Sequence, residues 1–132
     1  VDLRDANLEE ASLRGVHLYE AKLQKSLLAG ADLQEANLGF ANLQEARLWG
    51  AILVDADLGG ANLQEAYLME ADLRRANLNG SDLSGADLER ANLKEAKFNQ
   101  DTRWPTGFDP TTVGAIEVRW DRESTKFMRV EE

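Results

Sequence analysis

Cysteine is absent from this sequence of 132 residues, and histidine occurs once. Without cysteine there are no disulfides and no thiolate chemistry, and the sequence leaves the redox compartment open. A zinc site built from cysteine and histidine is excluded for the same reason. No apolar run approaches the roughly 18–20 residues that cross a bilayer, so we expect no membrane span.

Basic residues are also scarce, with 15 against 24 acidic residues and a net charge of −9. Such a surface repels phosphate backbones and anionic headgroups, so we expect no direct binding to nucleic acid or membranes. No signal peptide is visible, which predicts a cytoplasmic location. The chain begins at Val1 and not at methionine, which leaves open a targeting segment ahead of it.

What the sequence has in abundance is a five-residue repeat. Leucine is the third residue of nineteen consecutive groups of five, from Leu3 to Leu93, and Phe98 takes the twentieth place. Alanine opens sixteen of these groups, and Asp or Asn is frequent in the second place. A fixed period of this kind is typical of repeat architectures.

A period of five fits neither a helix nor a continuous strand. Leucines five apart step round an α-helix by about 140°, and on a strand they alternate between faces. Within one group, however, Ala and Leu are two apart and point the same way, as in a short strand. The next two residues must then turn the chain, and Gly, frequent in the fifth place, suits such a corner. Stacked coils with a corner every five residues make a solenoid.

The number of corners in one coil follows from the longer repeat. The stretch ANLQEA at 41–46 returns letter for letter at 61–66, and Gly30 and Gly50 are also twenty apart. Because residues one coil apart lie next to each other, similarity at twenty predicts four sides for each coil. Residues 1–100 then form five coils, a rod of about 24 Å at about 4.8 Å for each coil.

The A-[D/N]-L-x-x pattern of residues 1–100 resembles the pentapeptide-repeat family. The resemblance implies an all-β fold, a right-handed quadrilateral parallel β-helix whose narrow interior is filled by Leu and Ala. It also implies that Asp and Asn side chains form ladders from coil to coil. The run 102–110 is similar to the segment that follows the repeats in cyanobacterial members.

Residues 101–132 lie outside the repeat and are predicted to form a C-terminal capping segment. An open end of a β-helix exposes unpaired backbone and has to be covered. Asp109 and Pro110 are placed to open a short helical turn, and a small hairpin is predicted around residues 121–124. The residues predicted to pack as a cap on the last coil are Phe98, Trp104, Pro105 and Phe108.

No catalytic, cofactor-binding or metal-binding residues are predicted, and no cofactor is expected. His17 points outward, and the sequence fixes no Ser or Asp beside it. Acidic pairs such as Asp55 and Asp57 arise by chance in a chain with 24 acidic residues. A solenoid also offers no cleft, which is where chemistry usually occurs.

One surface feature rises above the background. Seven of the nine apolar residues at outward positions fall in three successive coils, on two neighbouring sides. A contiguous patch with an aromatic centre is typical of an interface. The occupants we consider are the protein's own tail, a second copy of the chain, and a different protein; otherwise the clustering is accidental. The patch, with one arginine, comprises Leu27, Ala29, Arg47, Trp49, Ile52, Val54, Tyr67 and Met69.

These observations favour a non-enzymatic interaction or scaffold protein that binds a protein partner, with a homodimer as one form of it. The alternative is an acidic mimic of duplex DNA that inhibits a type II topoisomerase such as DNA gyrase. Acidity agrees with mimicry, but a rod of about 24 Å matches only about 7 base pairs. An enzyme is the least favoured class, because no set of residues predicts a reaction.

Overall fold

The computed structural model describes residues 1–122 and 124–130, with residues 120 and 121 described by their backbone. Residues in the second place of each group pair in parallel with the residue twenty positions on. The ladder runs in this register from Asp2↔Lys22 to Asn77↔Lys97. One coil therefore contains twenty residues on four sides, as the repeat predicts.

We name the four sides after the first coil, because each side recurs every twenty residues. Side 1 begins with residues 1–5, side 2 with 6–10, side 3 with 11–15 and side 4 with 16–20. Sides 2 and 4 lie opposite each other, as do sides 1 and 3.

Each corner of the coil is a hydrogen-bonded turn. At the first corner the Ala6 N–H donates to the Leu3 carbonyl at 3.1 Å, and Asp5 between them has a φ of 60°. A positive φ at the third residue of a turn is required by type II turns, and glycine adopts it most easily. Gly15 and Gly30 confirm the expected role of glycine. Most other corners nevertheless carry a charged residue with a positive φ. The parallel pairs before and after each corner hold its backbone in this conformation.

The Asp and Asn side chains in the second place brace these corners. The Asn42 Oδ1 accepts a hydrogen bond from the Gln44 N–H at 3.1 Å, and the same bond recurs in most groups with Asp or Asn there. The implied coil-to-coil ladder is therefore wrong for most of these side chains. A short carboxylate or carboxamide reaches the N–H two residues ahead more readily than the next coil. One bond between coils is made by Asn77, whose Nδ2 donates to the Asp57 Oδ1 at 3.1 Å.

The interior of the solenoid is filled by the leucine and alanine columns. The leucines from Leu23 to Leu78 are fully buried, and the alanines of the same coils lie between them. Leu3, Leu8 and Leu13 are only partly buried, because a single coil packs against the first one. Phe98 closes the leucine column and is buried.

The tail continues the solenoid as an irregular sixth turn. In the first ladder contact of the tail, Asp82 pairs with Arg103, which is 21 residues further on. The earlier pairs are twenty residues apart, so the regular register ends here. Strand β1, Lys97–Phe98, then pairs in parallel with strand β2, Ile116–Asp121. Strand β3, Lys126–Arg129, pairs antiparallel with β2, which confirms the predicted hairpin.

Between β1 and β2 the chain makes one turn of 3-10 helix, Pro110–Val113. The Asp109 carboxylate caps it by accepting the Thr111 N–H at 3.0 Å, which confirms the helical turn expected there. Among the described residues, no helix is long and apolar enough to cross a membrane.

Candidate interaction surface

The patch predicted from the sequence lies on sides 2 and 3. Leu27, Arg47 and Tyr67 are consecutive members of one parallel ladder. Ile52, on the adjoining side, pairs with Asp32 and Asp72. The twenty-residue coil thus brings together residues that are far apart in the chain. We call the outward part the Trp49 surface; it comprises Leu27, Ala29, Arg47, Trp49, Ile52, Tyr67 and Met69.

Val54 does not belong to this surface. The sequence frame places it outward, but the structure leaves only 6% of the residue exposed. Gln34 and Arg74 occupy the same place in the neighbouring coils, and both are longer than valine. The Arg74 side chain lies flat along its own coil, because its guanidinium donates to Asp72 at 2.8 and 2.7 Å. A short side chain between two long ones is covered even when it points outward.

Trp49 is the most exposed apolar residue of the surface. It is 54% exposed, and its Nε1 donates to the Glu70 Oε2 at 3.3 Å. The other Glu70 oxygen accepts from the Arg90 Nε at 3.0 Å. Tyr67 in the same coil as Glu70 is 45% exposed. The indole is therefore oriented by a polar rim while much of its apolar surface stays open to solvent.

A shallow open groove of about 450 Å³ borders this surface. Leu27, Arg47 and Tyr67 form part of its lining, together with a pair of opposite charges. In that pair the Lys25 Nζ lies 4.0 Å from the Glu45 Oε2. An apolar and aromatic centre with mixed charges at the edge is the usual composition of a protein–protein interface.

Two ion pairs stand beside the surface on side 3. The Arg75 guanidinium donates to the Asp55 carboxylate at 3.0 Å, and this hydrogen bond lowers the pKa of Asp55 against the opposing effect of burial. The hydrogen bonds from Arg74 likewise lower the pKa of Asp72. Both carboxylates are therefore ionised at neutral pH and largely matched by neighbouring arginines.

The described part of the tail does not cover the Trp49 surface. It lies at the end of the rod, where β2 pairs with β1, and Trp49 stays exposed. Docking of the tail on the patch, one of the occupants expected from the sequence, is therefore wrong for the described residues. The cause is the parallel pairing of Ile116 with Lys97, which directs the chain across the last coil.

The residues predicted to form the cap lie together on the last coil. The Phe98 and Trp104 ring centroids are 5.4 Å apart at an interplanar angle of 85°, and Trp104 stacks on Phe108 at 5.3 Å and 25°. Pro105 lines a shallow groove with Phe108 and Leu88. The contribution of these rings to the stability of the rod end stays a prediction.

The structure also places the histidine that the sequence analysis considered. His17 occupies an ordinary ladder position opposite Asn37. Within the described ranges, no group of three or more His, Asp or Glu side chains is arranged to hold a metal ion.

The family model for pentapeptide repeats matches this chain in eight copies, over residues 1–34, 11–50, 31–68, 51–90 and 66–100. The chain belongs to the pentapeptide-repeat family. This family model describes a repeat.

Solved structures of other pentapeptide-repeat proteins resemble the chain. HetL from the cyanobacterium Nostoc, involved in heterocyst differentiation regulation, is 30% identical with a TM-score of 0.69, over 79% of this chain and 60% of HetL. A pentapeptide-repeat protein of the Arabidopsis thaliana thylakoid lumen is 26% identical with a TM-score of 0.59, over 70% of this chain and 68% of that protein. A third, from the cyanobacterium Cyanothece, is 40% identical with a TM-score of 0.38, over 79% of this chain and 64% of that protein.

These findings confirm the right-handed quadrilateral β-helix that the repeat and the resemblance predict. The chain spans 60% of the length of HetL. A search of the curated proteins found no match.

In this pentapeptide-repeat protein, sequence reasoning missed a second aromatic cluster. Tyr19 and Phe40 lie on side 4, with ring centroids 5.8 Å apart and an interplanar angle of 78°. They are 53% and 62% exposed. The sequence did hold a signal for this pair. A glycine stands twenty residues after each aromatic residue, Gly39 after Tyr19 and Gly60 after Phe40, so that each ring has a glycine beside it in the next coil.

Proposed function

We propose that this protein is a non-enzymatic interaction module and that its Trp49 surface binds another protein chain. The observation that carries the proposal is an exposed tryptophan held by a polar rim in the middle of an apolar stretch of two sides. Tryptophan, tyrosine and arginine are the residues that most often dominate binding energy at interfaces, and methionine is also enriched there.

The shape of the molecule supports binding over chemistry. Its sides are flat and repetitive, and the grooves among the described residues are open and shallow. Catalytic sites usually need a concave pocket with a few converging polar groups. A rigid ladder of hydrogen bonds also lets a surface bind without losing much conformational freedom.

Mimicry of duplex DNA has less support than protein binding through the Trp49 surface. A DNA mimic needs regularly spaced uncompensated negative charge. On sides 2 and 3, however, Asp55, Asp72 and Glu70 each accept hydrogen bonds from an arginine. A gyrase supercoiling assay would detect such an activity directly, and we expect no inhibition.

The test of the proposal is the variant Trp49→Glu, with Gln100→Glu as a control that adds the same charge at another exposed position. Position 49 lies outside the core, so we expect the melting temperature to change little. If a second copy binds, light scattering of the Trp49→Glu variant should give half the mass of the wild type. If a different protein binds, the mass stays constant and pull-down from the native organism loses a band that the control retains. A variant that changes neither mass nor pull-down would overturn the proposal.

A further inference from the structure

Phe40 occupies an unusual place for an aromatic residue. It stands at a corner with a φ of 54°, a conformation that bulky residues seldom adopt. All other fifth-place residues from Asp5 to Gln100 are charged, polar or glycine. Phe40 contributes little to the core, since 62% of it is exposed. Folding therefore gives no reason for an aromatic ring at this corner.

The Phe40 ring is seated on bare backbone. A Cβ added to Gly60 would overlap a ring carbon of Phe40, so the ring rests on the glycine of the next coil. Tyr19 is seated in the same way, because a Cβ at Gly39 would lie 3.0 Å from its ring. The two rings meet edge to face and form the wall of a corner that opens to solvent.

The floor beside this wall is open and acidic. A groove of about 500 Å³ runs from the two rings over glycine backbone to Asp57 and Asp101. Asn77 and Asn79 also line it, and none of its described lining residues is basic. We call it the side-4 groove. It lies on the side of the coil opposite Trp49, so it is separate from the Trp49 surface.

Aromatic ring faces and carboxylates both attract cations. A guanidinium or ammonium group over the face of an aromatic ring is attracted by the ring quadrupole. Negative charge at the groove and on the protein as a whole raises the local concentration of cations. A neutral sugar or an apolar side chain would use the rings but would leave the carboxylates without a charged partner.

The shape of the groove favours guanidinium over ammonium. Guanidinium is planar and weakly hydrated, stacks on aromatic rings and donates several hydrogen bonds in its plane to carboxylates. A floor of glycine lets a flat group approach the rings without meeting side chains. We propose that the side-4 groove binds the arginine side chain of a basic segment of a partner protein. This site is independent of the function proposed for the Trp49 surface.

The first test is an NMR titration of the ¹⁵N-labelled full chain with three blocked tripeptides. They carry arginine, lysine or the uncharged isostere citrulline between two glycines. The arginine peptide should shift the amides of Phe40 and Gly60 and leave the Trp49 indole unchanged. Because an exposed cation–π contact has modest strength, we expect the citrulline peptide to bind about two- to fivefold more weakly than the arginine peptide. The lysine peptide should also bind more weakly than the arginine peptide. Equal binding of the arginine and citrulline peptides, or no shifts with either, would overturn the proposal.

The second test uses two glycine variants that differ only in what the new methyl group meets. Gly60 and Gly50 have φ values of 68° and 66°, so Gly60→Ala and Gly50→Ala carry the same backbone strain. Only Gly60→Ala displaces the Phe40 ring, since nothing lies within 4 Å of a Cβ at Gly50. Gly60→Ala and Phe40→Ala should both weaken binding of the arginine peptide about two- to fivefold, while Gly50→Ala binds as the wild type. Undiminished binding by Phe40→Ala, or equal loss in both glycine variants, would refute the site.

Discussion

Two serines replace alanine in the inward column, and their surroundings differ. Ser26 and Ser81 are both fully buried. The Ser81 Oγ donates to the Leu78 carbonyl at 2.8 Å, whereas the Ser26 Oγ has no hydrogen-bond partner. A buried hydroxyl without a partner destabilises the folded state by about 1–3 kcal/mol, while a satisfied one contributes about 1 kcal/mol.

We therefore expect the same substitution to act in opposite directions at these two positions. Ser26→Ala should raise the free energy of unfolding by about 1 kcal/mol, and Ser81→Ala should lower it by about 1 kcal/mol. Urea denaturation of the two variants beside the wild type measures both changes. Loss of stability in Ser26→Ala would show that its hydroxyl is hydrogen-bonded in solution.

The leucine column should tolerate neither truncation nor charge. Leu53 is fully buried in the middle of the rod, so Leu53→Ala should lower the free energy of unfolding by about 2–5 kcal/mol. Leu53→Asp buries an unpaired charge and should abolish folding, as judged by circular dichroism. The control is Asn42→Asp, which adds the same charge at an outward place that carries Asp in other groups. A folded Leu53→Asp variant with unchanged melting would contradict the β-helix frame.

At the scale of elements, the tail ends the solenoid by reversing its strand direction. Parallel pairing of β1 with β2 continues the coil, and antiparallel pairing of β2 with β3 then turns the chain back. Trp104 and Phe108 pack against the core. The edge of the last regular coil is thus paired in part with β2, and we expect this pairing and the aromatic rings to limit edge-to-edge association.

Removing the tail should expose that edge. Deletion of residues 101–132 should promote end-to-end association or aggregation, detected by size-exclusion chromatography with light scattering. A truncated rod that stays monomeric and equally stable would show that the tail is not a cap.

Phe98→Ala should destabilise the full chain by about 3–5 kcal/mol because the ring is buried, whereas Phe40→Ala, at an exposed ring, should have a much smaller effect.

The elements differ in how far the sequence predicts them. The coil is predictable because the same inward places recur through twenty consecutive groups, with Leu in nineteen of them and Ala in sixteen. The short helix was predictable from Asp109-Pro110, since this pair has one strongly favoured use at a helix start. The path of the tail was not, because its alternating residues fit several docking sites, and the choice depended on the pairing of Ile116 with Lys97.

For the whole molecule, pH acts mainly through carboxylates with lowered pKa values. Hydrogen bonds from Arg74 lower the pKa of Asp72 below its ordinary value of 3.8. Burial alone would raise the pKa of Asp82, but hydrogen bonds from Ser84 and Gln64 outweigh it and lower the pKa. A lowered folded-state pKa adds stability that is complete above the ordinary pKa and is lost as pH falls through the folded value.

We accordingly expect stability to change little near neutral pH and to fall as the pH drops below about 4. The midpoint of urea unfolding measured across this range would show the decline. Asp72→Asn should make the decline shallower, because one of the titrating groups is removed. A protein whose stability rises on acidification would contradict this assignment.

The two surface sites show why position in the repeat predicts only part of a surface. The Trp49 surface could be found because its residues stack at twenty. Val54 was wrongly included because its exposure depends on the length of the residues at 34 and 74, which the repeat frame ignores. The pair Tyr19 and Phe40 was missed because its members are 21 residues apart, in adjoining places of successive coils.

Because every coil contains twenty residues, the number of a residue in the chain determines the direction in which its side chain points around the rod. Insertion of one five-residue group after residue 45 would leave every leucine in its column and would still carry Trp49 from side 2 to side 3. Phe40 would keep its place, so the Phe40 and Trp49 side chains would change from opposite to adjacent sides, while Leu27 and Ala29 would stay on side 2. Only four such insertions, a full revolution, restore the original orientation. Gain or loss of whole pentapeptides can therefore re-aim a binding surface by quarter turns without repacking the interior.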